Sequence, residues 1–225
     1  MNKAHITSVL FFILTSCTNA PELETGEIKT FQMLRDAFYE ANNPKVFIDA
    51  RHLISRKKID SVNMPVLFVE LESGQNGTLT PYPGNGIGQT WLGADGATVT
   101  TENGILKATR GMGSDLMGSI SKMPPWAEIN NGSSSYKRKL SYLDGNNDIS
   151  TLVMKCKIKK NSKTEKEKIK IWEVNFSVSQ FVEDCSNDSI TFTNTYYLDS
   201  KKVVRKSLQY HSEAIGYLLI ERLDR

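Results

Sequence analysis

Few places in this chain have residue types and spacings that could do chemistry. Gly111-Met112-Gly113-Ser114-Asp115 sets a serine beside an acid among glycines. A nucleophile elbow needs glycine two residues before and two after the serine, so that the backbone can turn sharply. Met112 and Leu116 hold those positions, and the segment reads as a turn. Gly84-Asn85-Gly86-Ile87-Gly88 has the glycine density of a phosphate-binding loop. It contains no lysine, follows a proline-rich stretch and opens no helix, so it too reads as a turn. Glu70 and Glu72 share one side of a strand, a spacing that could serve glycoside hydrolysis, although same-face carboxylates on a strand are usually solvated. Beyond the first few residues the histidines are His52 and His211, and neither has a cysteine or second histidine at ligand spacing. The residues therefore predict no catalytic residue, no metal and no cofactor.

Binding is better provided for. Lys155 to Lys170 carries eight lysines against Glu165 and Glu167. Such charge attracts acidic glycans or lipid headgroups in a salt-dependent way. The plainer reading is a solvated hairpin whose edge lysines resist aggregation. Of the three tryptophans, Trp172 and Trp91 read as core, while Trp126 follows Pro124-Pro125 in an expected loop where its ring could stack on a sugar. Trp126, Lys157 and Lys159 are the ligand-binding candidates.

The cysteines place the chain. Residues 1–5 carry one lysine and no acid, and Ile6 to Leu14 is an apolar run. A membrane-spanning helix needs about 20 such residues, whereas a secretory signal needs a basic start and a core of about 7 to 15. The run ends in Leu14-Thr15-Ser16-Cys17, which looks like the lipobox of bacterial lipoproteins, with Cys17 the lipidated new N-terminus. Thr18-Asn19-Ala20 offers only a weak version of an ordinary cleavage site. Thr18, rather than aspartate, follows the cysteine, so the expected address is the outer membrane, facing the periplasm. With Cys17 given to lipid, Cys156 and Cys185 remain as an even pair in an oxidising compartment and read as a disulfide, two free buried thiols being the alternative. The net charge of +3, near neutral for 225 residues, gives no case for nucleic acid.

Elements must position these residues. Residues 1–16 form the signal, 17–26 a polar tether, and 27–225 a single β-rich domain. Ile28, Phe31, Leu34, Ala37 and Phe38 recur at helical spacing, predicting a short amphipathic helix from Glu27 to Glu40 that Asn42-Asn43-Pro44 stops. Leu53 to Val62 is ambiguous. Pro65 to Leu71 reads as a strand, and Asp95-Gly96 and Asn103-Gly104 predict type I′ turns joining Thr90–Gly93, Thr98–Thr101 and Ile105–Arg110 into a meander. Pro124 to Asn147 reads as a linker. Ile149–Lys159, Lys168–Val182, Ser189–Leu198, Lys202–Tyr210 and Ala214–Arg222 follow as strands, with a polar tip at residues 160–167. About ten strands and no second long helix predict an all-β antiparallel barrel or sandwich.

Trp91, Asp95-Gly96, Asn103-Gly104, Thr109, Gly111-Met112 and Asp115-Leu116 together resemble the pattern of the YjbF/GfcB family of group 4 capsule and exopolysaccharide lipoproteins. Met112 stands where that pattern has leucine. The resemblance implies an outer-membrane lipoprotein acting, without catalytic residues of its own, in capsule or exopolysaccharide production or export. Its partners would be the membrane, other polysaccharide-secretion proteins and the surface polysaccharide itself. A periplasmic glycan-modifying enzyme and a generic structural envelope lipoprotein are the alternatives.

Overall fold

The computed structural model describes residues 48–83, 88–129, 132–143, 148–161 and 167–225. The lipobox with Cys17, the tether, the helix expected over residues 27–40 and most of the polar tip at residues 160–167 lie outside the described residues.

Strands dominate because apolar and polar residues alternate. β1 (Leu67–Leu71), β2 (Asn76–Tyr82), β3 (Gln89–Gly93), β4 (Thr98–Glu102) and β5 (Ile105–Arg110) form an antiparallel meander. A second runs through β6 (Leu116–Ser121), β7 (Ser133–Leu143) and β8 (Ile149–Lys160). A third runs through β10 (Val174–Ser186), β11 (Thr191–Leu198), β12 (Val204–Ser212) and β13 (Gly216–Arg222). β8 pairs with the C-terminal half of β10, and β13 returns to pair with β1. β9 (Glu167–Ile171) leaves this circuit and pairs with the N-terminal half of β10. The result is a 13-stranded antiparallel sheet curled into a nearly closed barrel. β5 and β6 end the hydrogen-bonded order, and side chains stitch their seam: Leu116 N–H donates to Thr109 Oγ1 at 3.0 Å and Arg110 Nη1 to the Leu116 carbonyl at 3.1 Å.

Each face of the wall has its own cluster. Leu67, Val69, Leu79, Trp91, Val99, Met154, Leu218 and Ile220 point inward and pack together. Phe68 and Leu223 point the other way, against Ala50, Ile59 and Ile171. That outer cluster is covered by α1 (Ala50–Leu53), α2 (Arg56–Ser61) and the β9–β10 hairpin. The Asp49 and Ser55 side chains cap the two helices by accepting from Arg51 N–H and Lys58 N–H. Leu53 to Val62, ambiguous in sequence, is thus mostly helical.

Three expectations need correction. The stretch 124–147 is no linker, because β7 occupies Ser133–Leu143 and pairs with β8 over eleven positions. Lys168–Val182 is two strands, joined by a two-residue turn in which Trp172 (φ 44°) and Glu173 (φ 71°) both adopt left-handed backbone. A type I′ turn needs that conformation at both central residues, usually from asparagine and glycine. Asn103 (φ 53°) and Gly104 (φ 80°) form the type I′ turn that an Asn-Gly pair predicts. Asp95-Gly96 instead closes a longer loop, in which Gly96 N–H donates to the Gly93 carbonyl and only Gly96 has positive φ (86°).

Candidate functional site

In the antiparallel circuit the β4–β5 turn, the end of β6, the β11–β12 turn and the end of β13 fall at one mouth of the barrel. There Trp91, Thr101, Ser207 and Ile220 form the inner lining of a cleft of about 910 Å³. Volumes of this size, in the mouths of β-barrels, suit organic ligands. The segment after β6 folds over this end, with Glu128 N–H donating to the Pro125 carbonyl. Trp126 is only 6 % exposed there, with its ring centroid 5.4 Å from that of Phe181 and 5.1 Å from that of Tyr196. Its Nε1–H donates to the Asn103 carbonyl at 2.9 Å. Trp126 therefore lines the cleft as a buried plug, and the exposed stacking platform expected of a loop tryptophan is not what the structure shows.

Charge in the cleft is uneven. Lys107, Lys201, Lys202 and Arg222 face one carboxylate among the described lining residues, Glu102. Glu102 pairs with Lys107 at 2.8 Å and Arg222 with Asp224 at 2.8 Å. Lys201 and Lys202 have no carboxylate partner among the described residues. Their turn is pinned by Asp199, whose carboxylate accepts from Lys201 N–H (2.8 Å), Val203 N–H (3.0 Å) and Arg205 Nε (2.7 Å). Burial alone would raise the Asp199 pKa, but these donors outweigh it and hold the carboxyl below its usual range.

Lys157 and Lys159 lie outside the cleft. Alternation along β8 turns Met154, Cys156 and Ile158 inward and Lys155, Lys157 and Lys159 outward. Register places Lys137 opposite Lys155, and Lys139 opposite Val153. Ammonium groups at successive outward positions would be costly in hydrocarbon, so this wall is built to face water. The sequence candidates thus separate, Trp126 to the mouth and the two lysines to the outer wall.

Cys156 and Cys185 sit directly opposite each other on β8 and β10 and form the expected disulfide. Glu183 lies close enough to both sulfurs to suggest a metal site, but the sulfurs are bonded to each other.

Several other chemistry-bearing groups among the described residues are tied into the fold. Thr109 Oγ1 donates to Asp115 Oδ1 at 3.1 Å and lies 2.8 Å from His211 Nε2. Because the threonine proton is committed to Asp115, His211 must carry its proton on Nε2 and donate, leaving Nδ1 to accept from Ser212 Oγ at 3.0 Å. Burial lowers the imidazole to about 4 against the opposing pull of Asp115. A protonated Nε2 cannot take a proton from Thr109, so this trio makes no activated nucleophile. Asp115 also accepts from Gly111 and Met112 N–H, which explains the Gly111–Asp115 segment as a clamped turn. Glu70 binds Arg51 at 3.2 Å and Glu72 accepts from Tyr217 N–H at 3.0 Å, so both carboxylates serve as ties between elements. Inside the barrel, Glu183 meets Arg138 at 2.7 Å and accepts from Tyr136, Tyr196 and Asn194 at 2.5, 2.7 and 2.8 Å. Burial together with the adjacent Glu183 raises both tyrosine pKa values, keeping the phenols protonated as donors.

Sequence reasoning missed Lys201 and Lys202: Lys202 reads in sequence as the first residue of the strand Lys202–Tyr210, and Lys201 falls between that strand and Ser189–Leu198. It also missed Arg138 and Glu183, since nothing in their spacing announces a buried pair.

No curated protein matches the chain. Among solved structures, the hypothetical lipoprotein YmcC from Escherichia coli K12 superposes with a TM-score of 0.68 at 17 % identity, covering 81 % of this chain and 98 % of that one. The fold is therefore shared with it. The family model described as group 4 capsule polysaccharide lipoprotein gfcB, YjbF matches residues 32–223. Over that span, which takes in the whole barrel, the chain belongs to the YjbF family of group 4 capsule polysaccharide lipoproteins.

Proposed function

We propose that the protein is a non-enzymatic accessory or assembly factor in the production or export of a capsule or related exopolysaccharide. In this reading it is held at the outer membrane by lipid on Cys17 and faces the periplasm, beside other proteins of the same secretion system. The family match over residues 32–223 carries the reading. Anchoring follows from lipid physics: each buried methylene contributes about 0.8 kcal/mol, and one chain binds only reversibly where two or more hold stably. The diacylglycerol and N-acyl chain expected on a lipobox cysteine exceed that requirement.

An enzyme acting on glycan would place two carboxylates across the scissile bond. In the cleft Glu102 stands alone among the described lining residues and is bonded to Lys107. The test is deletion followed by complementation. Surface polysaccharide should fall on deletion, return with the wild type and with Glu102→Gln, and stay low with Cys17→Ser. Unchanged polysaccharide in the deletion strain contradicts the reading, and failure of Glu102→Gln alone favours an enzyme.

A further inference from the structure

The cleft at the barrel mouth combines three features that a ligand would explain together. Two ammonium groups, on Lys201 and Lys202, stand at its rim with no carboxylate partner among the described residues, although the other two cations there are paired. Their turn is fixed in advance, because Asp199 ties both sides of it and Lys202 is held at a φ of 64°, a conformation costly for a residue other than glycine. In the same cleft, Met123 and Pro124 add partly exposed apolar surface. A preorganised cationic rim beside apolar surface suits a ligand that carries anionic groups on a hydrogenated ring framework.

We propose that the mouth of the barrel binds a short segment of an acidic polysaccharide, its sugar carboxylates taken by Lys201 and Lys202 and its C–H faces laid on Met123 and Pro124. The choice of a glycan rests on the function proposed above, whereas the choice of an acidic one rests on the unpaired lysines. The lysines on the outer wall are a rival contact surface. They differ from the mouth in facing open water along a convex strand face, and Lys159 is partly answered by Asp184 at 3.9 Å.

Calorimetry on the intact lipoprotein in detergent, titrated with a galacturonic acid hexamer and with a neutral maltohexaose control, tests this. The acidic hexamer should bind with an affinity that falls as salt rises, and the neutral one at least tenfold more weakly. Lys201→Gln with Lys202→Asn, asparagine being tolerant of the left-handed conformation, should weaken acidic binding on the order of tenfold with the melting temperature unchanged. Lys201→Arg with Lys202→Arg should keep it, and Lys155→Ala with Lys157→Ala should leave it within about twofold. Equal binding of the neutral hexamer, no binding of the acidic one, or a loss confined to the outer-wall pair overturns the inference. If deletion of the gene removes surface polysaccharide while the pure protein ignores the acidic hexamer, this inference fails and the proposed function stands.

Discussion

Glu183→Gln should be among the most damaging single changes in the barrel wall. The Glu183 side chain is 0 % exposed, and its carboxylate answers the Arg138 guanidinium, itself buried, together with two phenols and one amide. Removing one partner of such a pair leaves an uncompensated buried charge and costs about 3–5 kcal/mol. A domain of this size has about 5–15 kcal/mol in all. With a urea slope of about 2 kcal/mol/M, the midpoint should drop on the order of 2 M. Arg138→Met should cost a similar amount, because the carboxylate then stands alone. The double variant Glu183→Gln, Arg138→Met should cost less than the sum of the two by about 2 kcal/mol or more, since the charge left by one change is removed by the other. Urea unfolding of the oxidised protein, followed by tryptophan fluorescence, measures all three. Single costs under about 1 kcal/mol, or costs that simply add, would refute the reasoning.

Three further outcomes follow from the same structure, and a fourth from the lipobox in the sequence. Replacing both Cys156 and Cys185 by serine opens a loop with a sequence separation of 29 residues and should cost about 3.5 kcal/mol, read as a lower urea midpoint that reducing agent reproduces in the wild type. His211 titrates near 4 when folded and near 6.5 when unfolded, so its stabilising contribution is complete above about pH 6.5 and lost as pH falls toward 4, worth about 3 kcal/mol. His211→Gln should flatten that stretch of the stability–pH curve. Gly104→Ala sets a new methyl against both Cβ and Cγ2 of Val204 at a φ of 80° and should lower stability by about 1–3 kcal/mol, read as a lower urea midpoint. Cys17→Ser should leave unprocessed precursor that takes up no labelled fatty acid, and retained labelling would sink the anchor assignment.

Much of the barrel could be read from the chain because its strands alternate cleanly. β8 sets lysine outward at every second position between Met154, Cys156 and Ile158, and its boundaries were legible for that reason. β7 was not, because its inward positions include Tyr136 and Arg138, polar residues whose partner Glu183 lies 45 residues from Arg138. Pairing across that distance is a tertiary fact that local pattern does not carry. The β9–β10 turn escaped notice for a related reason: Trp172 and Glu173 hold a conformation that sequence reasoning assigns to asparagine and glycine. Trp172 packs against the outer cluster, in line with its core reading, whereas Trp126 leaves its expected open-loop role. Trp172 sits at a turn edge-on to Phe68, and Trp126 fills the barrel end. The cysteine pairing was legible because removing Cys17 left one possible partner for each. The cleft was hidden, since its lysines lie in a short turn and its walls come from strands far apart in sequence.

The amount and location of surface polysaccharide in a strain lacking this gene decide whether the protein acts in its production or export. Fractionation into cell-surface and cell-retained pools should show the surface pool depleted and restored by the wild-type lipoprotein. Surface and retained pools both equal to those of the parent strain would contradict that role.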